Sequence, residues 1–286
     1  MLWRSLAQAL GNAGIERPWK ELRLLAEHVT KIPYVDIALA VPTLSDDQWQ
    51  MLQALVQRRV TREPLTKIIG RANFWKHEFV TTRDTLDPRP ESELIIEVVL
   101  LLHTDKSAPV TFLDLGTGTG CLLLSCLSEY PHATGIGVDI SKAALDVASK
   151  NSANLNLTQR AQFQLSDWTK SVDGVFDVIL CNPPYISDGD DIAPNGNLDP
   201  EALYDPHVAL FAGLDGLNAY RNIFGRLREH VHLDVSKKFH SIILFEIGAG
   251  QNNTVSKIAE EHGFALLRTF LDYQGIPRVL AFYYVF

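Results

Sequence analysis

Apolar residues recur at helical spacing through the first quarter of the chain. Leu2, Leu6 and Leu10 fall on one helical face, and Gly11 and Gly14 end that pattern. Leu22, Leu25, Ala26 and Val29 repeat it until Pro33 stops it. Ser45-Asp46-Asp47-Gln48 predicts a capping box ahead of Trp49, Leu52, Leu55 and Val56. Residues 1–71 therefore predict a small all-α bundle. The pattern changes over residues 72–90, which predict a hairpin and linker. Ala72 to Val80 suits a short strand or hairpin, and Pro88-Arg89-Pro90 forms a stiff connector. Glu91-Ser92-Glu93 then opens a helix, with acids at the favourable end of its dipole.

Beyond Pro109 the period alternates. Strands are predicted at Val110–Leu115, Thr134–Val138, Gln162–Leu165, Phe176–Leu180 and Ser241–Glu246, with helical stretches between most of them. That order predicts an α/β fold, a doubly wound and mainly parallel sheet. Two last strands, Ala265–Leu271 and Val279–Tyr284, have no helix between them and predict an antiparallel edge. The sheet then has seven strands, all within residues 91–286.

Composition narrows the class without naming a chemistry. Of 286 residues, 46% are hydrophobic and 21% charged, which suits a globular chain. No apolar run approaches the roughly 20 residues of a membrane span, and the start of the chain predicts no signal peptide. Cys121, Cys126 and Cys181 lack metal-ligand spacing, so reduced thiols, a cytoplasmic location and no metal site are expected. Charge is uneven. Residues 1–80 hold 11 basic and 8 acidic side chains, leaving 15 basic and 26 acidic ones in the other 206. An acidic catalytic portion argues against backbone-driven nucleic-acid binding.

The candidate chemistry begins where the first parallel strand ends. Asp114-Leu115 runs into Gly116-Thr117-Gly118-Thr119-Gly120, and a helix follows. Such glycines allow a tight turn and close approach of a ligand. Cys121 stands where a dinucleotide fingerprint needs its third glycine, which favours a ligand without phosphate, such as S-adenosyl-L-methionine. Asp139 closes the next strand, where a carboxylate binds ribose hydroxyls. Ser166-Asp167-Trp168 follows the third strand; Asp167 can accept from an adenine amino group, and Trp168 can pack beside the base.

The catalytic candidate is Asn182-Pro183-Pro184-Tyr185, at the end of the strand through Cys181. Two prolines stiffen the loop and remove two backbone donors. Carbonyl acceptors and the Asn182 side chain remain, which suits a group carrying two N–H donors: an amide or an exocyclic amine. Tyr185 offers a ring face to a planar group. A nitrogen whose lone pair is delocalised is a poor nucleophile. Acceptors at Asn182 and Pro183 would orient it and strengthen as it gains charge.

These residues resemble the HemK/PrmC family, the peptide chain release factor N5-glutamine methyltransferases. The resemblance runs from Arg62-Glu63-Pro64-Leu65 through Pro88 to Glu93, the glycine loop and Asn182 to Tyr185. It continues to Asp215-Gly216-Leu217, Glu246-Ile247-Gly248, Gln251 and Gly275-Ile276-Pro277-Arg278. It implies a Rossmann-like class I methyltransferase, with a substrate glutamine in the GGQ motif of release factors. S-adenosyl-L-methionine would be converted to S-adenosyl-L-homocysteine. It further implies that Asn182 to Tyr185 hold the glutamine, and that Gly116 to Gly120, Asp139, Trp168 and Asn182 contact the cofactor. It also implies that Phe74 and Arg89 help close the site. Separately, the net positive residues 1–71 are expected to meet the release factor, and a monomer is expected.

The chain departs from the family at Ser92, where threonine is usual, at Asp87, at Asp205 and over Val235–Phe239. None of these is expected to touch the core chemistry; Asp87 is expected at the seam between domains. Two other readings remain open. A DNA adenine N6-methyltransferase shares the Asn-Pro-Pro-Tyr motif, though the acidic portion and the lack of a target-recognition insertion oppose it. A nicotinamide oxidoreductase or a nucleotide-binding module would use the glycine loop and leave the motif without a role.

Overall fold

The computed structural model describes residues 2–189, 199–232 and 241–285. The departure at Val235–Phe239 lies outside the described residues. The chain forms two compact units. Residues 2–71 join Asp199–Tyr204 in the first, and the second holds the remainder.

The first unit contains α1 (Leu2–Asn12), α2 (Pro18–Thr30), α3 (Tyr34–Leu39), α4 (Asp46–Val60) and α5 (Leu65–Ile69). Their helical-period apolar residues, among them Leu10, Leu22, Leu25, Leu52 and Val56, make one fully buried cluster. The capping box forms as its sequence requires: Gln48 N donates to Ser45 Oγ, and Ser45 N donates to Gln48 Oε1. One expectation fails locally. Gly11 stays within α1, because packing of Leu6 and Leu10 carries the helix through it; the break comes at Gly14, whose φ is +79°. The unit also buries Arg59, whose guanidinium donates to Glu21 at 2.5 Å and to Glu201 at 2.7 Å. Tyr204 adds a bond from its hydroxyl to the Thr61 carbonyl at 2.7 Å. Those partners hold Asp199–Tyr204 within the helical unit.

A hairpin follows along the chain, β1 (Arg71–Phe74) and β2 (His77–Val80), then α6 (Glu93–Leu102); the second unit begins at Ala72. The αβ alternation follows: β3 (Thr111–Leu115), α7 (Cys121–Glu129), β4 (Thr134–Asp139), α8 (Lys142–Asn154), β5 (Ala161–Leu165), β6 (Val178–Cys181), α9 (Asn218–Leu227), β7 (Ile242–Glu246), α10 (Asn252–Glu261), β8 (Phe264–Leu271) and β9 (Pro277–Tyr284). The sheet runs β5-β4-β3-β6-β7-β9-β8. Its first five strands are parallel; β9 and β8 are antiparallel, as their missing crossover helix predicts. Phe176 is not part of the regular strand, which starts at Val178. It makes an isolated bridge to Val231 instead.

Alternate strand residues supply two apolar layers. Phe112, Val178, Leu180 and Leu244 pack on one side, and Leu113, Leu115, Ile179 and Phe245 on the other. The chain winds outward from β3 in one direction and returns to β6 on the other. That reversal opens a crevice at the carboxyl ends of β3 and β6. Among the described residues, no helix is long and apolar enough to cross a membrane.

Candidate active site

The loop after β3 is shaped by its alternating glycines. Gly116, Gly118 and Gly120 have φ of +72°, +55° and +79°, a backbone that side chains with a Cβ resist. Bonds to the neighbouring strand fix the turn: the amides of Gly116 and Thr117 both donate to the Val138 carbonyl at 2.9 Å. Asp139 completes the frame. Its carboxylate accepts from Gly118 N at 2.9 Å and from Ser141 N at 2.8 Å, while burial raises its pKa. Beneath the loop, Asp114 accepts from Thr117 Oγ1 at 2.7 Å, and burial pushes its carboxyl up to about 7.

A cavity of about 510 Å³ lies over this frame. Gly116, Gly118, Asp139, Asp167, Trp168, Asn182 and Pro184 line it, so the structure brings most of the sequence candidates together. Thr117, Thr119 and Gly120 do not line it; both threonines are buried. Pro183 and Tyr185 also stand outside its lining. Trp168 holds an unusual φ of +54°, which sets its ring close to Gly116; a Cβ there would come within 3.4 Å of the ring. Asp167 is ion-paired with Lys170 at the rim.

The Asn182 loop is held from several sides. Asn182 Nδ2 donates to Ser92 Oγ at 3.0 Å, and Ser92 Oγ donates to Glu246 Oε2 at 2.5 Å. Burial pushes the Glu246 carboxyl up to about 7, against the Ser92 bond and Arg278. The next residues pair with a distant segment: Ile186 N donates to Leu210 O, and Ala212 N to Ile186 O, each at 2.9 Å. Gln251 grips the Tyr185 carbonyl, and Gly216 passes directly beneath it. Burial pushes the Tyr185 hydroxyl up to about 12.

Two sequence expectations change here. Ser92 does touch the motif, because the short helical turn Pro90–Ser92 delivers its hydroxyl to Asn182. Asp87 and Asp205 are bonded to each other: Asp87 N donates to Asp205 Oδ1 at 3.2 Å, Arg89 Nη2 donates to Asp205 Oδ2 at 2.6 Å, and the Asp87 carboxylate accepts from Thr81. Arg89 is thus engaged with Asp205. Phe74 is 1% exposed, packs against Phe79 in the core and does not line the cavity. Sequence reasoning gave no role to Asn151. Its amide donates to the carbonyls of Val80 and Thr119, and its oxygen accepts from Val80 N, tying the hairpin to the glycine loop. A polar residue on the buried face of a helix was its only signal.

Comparison with known proteins agrees with this architecture. Residues 2–70 match the PrmC N-terminal domain, and residues 73–195 match the methyltransferase small domain. A release factor glutamine methyltransferase of Cereibacter sphaeroides is 38% identical over 280 residues, spanning 97% of this chain and 95% of the relative. One of Rhodospirillum rubrum is 37% identical over 276 residues, spanning 96% and 81%. Among solved structures, the ribosomal protein L11 methylase of Lactobacillus delbrueckii shares the fold, with a TM-score of 0.51, 17% identity, and 76% of this chain and 98% of that one covered. Identity at this level along nearly the whole length, joined to both domain matches, shows that the chain belongs to the HemK/PrmC family of release factor glutamine methyltransferases.

Proposed function

We propose that this protein methylates the side-chain amide nitrogen, N5, of the glutamine in the GGQ motif of a peptide chain release factor, with S-adenosyl-L-methionine as donor. The observation that carries the reading is the convergence of Asn182 and Pro184 with Gly116, Gly118, Asp139 and Trp168 on one cavity, in a chain whose relatives are named release factor glutamine methyltransferases. Those relatives give the DNA adenine alternative no support.

The cavity suits a nucleoside better than a pyrophosphate. The Gly118 amide, which a phosphate would need, is already committed to the Asp139 carboxylate. Asp139 would take the ribose hydroxyls, Asp167 and Trp168 the adenine, and the Gly116–Gly120 backbone with Asn182 the remainder. Bound there, S-adenosyl-L-methionine supplies an electrophilic methyl group and leaves as S-adenosyl-L-homocysteine. The chain's own part is orientation. Asn182 Oδ1 and the Pro183 carbonyl each accept one N–H of the glutamine amide, and Pro184 and Tyr185 fix its plane. Those bonds strengthen as the nitrogen becomes positive, which favours the transition state over the bound substrate. The methylated amide then sheds a strongly acidic proton, so no strong base is required.

Residues 1–71 are the proposed docking element for the release factor. On this reading the chain acts in the cytoplasm as a monomer, and its partner is a protein rather than a nucleic acid. Incubation of the enzyme and cofactor with a release factor, followed by mass spectrometry, tests the proposal. One added methyl group should map to the GGQ glutamine. Methyl transfer into DNA with an unmodified release factor would reject it.

A further inference from the structure

The geometry points to an orientation lock. We infer that the Ser92 hydroxyl, anchored on Glu246, fixes the Asn182 side chain with its oxygen toward the cavity, so that the site selects an amide nitrogen and rejects a carboxylate. This lock, which presupposes the glutamine substrate proposed above, makes Ser92 and Glu246 positioning residues.

The direction of the chain follows from counting protons. A serine hydroxyl has one proton to donate and lone pairs with which to accept. An ionised Glu246 carboxylate can only accept, and in that form the 2.5 Å contact commits the serine proton to Glu246 Oε2, at a length typical of a charge-assisted O–H···O bond. Ser92 Oγ therefore meets Asn182 as an acceptor, and only Nδ2 can satisfy it, at 3.0 Å. The trigonal amide then aims Oδ1 away from Ser92. Both anchors are dry: Ser92 is 3% exposed and Glu246 1%, so water does not compete for either bond. Glu246 is itself held, since its carbonyl accepts from Tyr220 and the following Ile247 carbonyl accepts from Arg278.

Reversal of the amide would have a definite consequence. Asn182 would present N–H to the cavity, opposing the N–H donors of glutamine and welcoming the oxygens of a carboxylate. Glutamine and glutamate have nearly the same shape, so contact area cannot separate them. A fixed acceptor can, because a misplaced polar partner is penalised by roughly 10²-fold or more. The departure at Ser92 is accounted for in the same way: serine and threonine both supply the hydroxyl.

The test uses the full chain with Ser92→Ala and Ser92→Thr. Ser92→Ala should lower kcat on a release factor by about 100-fold, with affinity for S-adenosyl-L-methionine by calorimetry held within about threefold. Ser92→Thr should return kcat to within about threefold of the parent. As a second readout, a release factor carrying glutamate in place of the GGQ glutamine serves as inhibitor. The preference for glutamine over glutamate should shrink by about tenfold in Ser92→Ala. A fall in kcat with that preference unchanged would assign Ser92 a merely structural part and overturn the lock, as would near-parental turnover. The parent protein gives a measurement independent of substrate and of variant folding. In nitrogen-edited NMR, one Asn182 side-chain amide proton should be protected from exchange with water, its signals assigned by their loss in Asn182→Asp. Free exchange of both protons overturns the lock. A parent enzyme that leaves glutamine unmethylated would reject the substrate instead, and the NMR result would still judge the lock.

Discussion

Gln251 Nε2 donates to the Tyr185 carbonyl oxygen at 3.0 Å, while Gln251 Oε1 accepts from Gly248 N at 2.9 Å. One side-chain amide thereby joins the loop after β7 to the last residue of the Asn-Pro-Pro-Tyr motif. Gly216 lies against the same carbonyl. Its φ is +70°, and a Cβ there would sit 2.4 Å from the Tyr185 oxygen. Backbone cannot yield that distance cheaply. Gly216→Ala should cost about 2 kcal/mol, lowering the melting temperature by roughly 4–8 °C. Turnover should fall as well, because the loop has to move. Calorimetric melting beside a methylation assay checks both effects, and an unchanged melting temperature would contradict the packing.

Removing the proposed acceptor should separate binding from chemistry. Asn182→Ala is expected to lower kcat by about 100-fold or more while leaving most of the cofactor affinity, since the glycine loop and Asp139 remain in place. Single-turnover kinetics with calorimetry on the same preparation can distinguish the two. Near-normal glutamine methylation would remove Asn182 from the chemistry.

Tyr185 separates a ring from its hydroxyl. Burial keeps that hydroxyl protonated, with its pKa at about 12. Tyr185→Phe keeps the face on which a planar amide can lie and should lose less than about tenfold in kcat. Tyr185→Ala should lose considerably more. Equal losses in steady-state assays would assign the work to the hydroxyl.

Two carboxyls, Asp114 buried and Glu129 partly exposed, should give stability opposite slopes with pH. Burial lifts Asp114 to about 7, above its ordinary 3.8. Its favourable contribution is complete below the lower value and is lost as pH rises through the upper one. Glu129 runs the other way. Burial alone would raise it, yet bonds from Lys76, Lys106 and Trp75 Nε1 hold it at about 2, below its ordinary 4.5. Its contribution stands above 4.5 and disappears as pH falls towards 2. Denaturant titrations across pH should therefore find that Asp114→Asn flattens the loss between about pH 4 and 7. Glu129→Gln should flatten the loss on the acid side. An unaltered slope in either variant would disprove its assignment.

Much of this was legible because it is local. Alternation of strand and helix gave the sheet, and the missing helix between β8 and β9 gave the antiparallel edge. The glycine loop, Asp139, Asp167, Trp168 and Asn182 all sit at or just beyond strand ends, where the winding rule places ligands, and each is recognisable within a few residues of its neighbours. What could not be read is what long-range packing decides. Ser92 and Asn182 lie 90 positions apart, and Ser92 and Glu246 154 apart. No periodicity reports such a meeting. Gly11 misled because local propensity is weak against burial of a helical face. The role at the site that the family resemblance implied for Phe74 finds no support in its place: at 1% exposure it is core.

The helical unit is built from two stretches of chain. Arg59 draws one carboxylate from Glu21 and the other from Glu201, 142 positions further on. A protein cut after residue 71 would keep the guanidinium and lose half of its counter-charge. Grafting residues 1–71 of this chain onto another protein would leave Glu201 behind. Unless Asp199–Tyr204 travels with them, those helices carry a buried cation without the second carboxylate that matches it here.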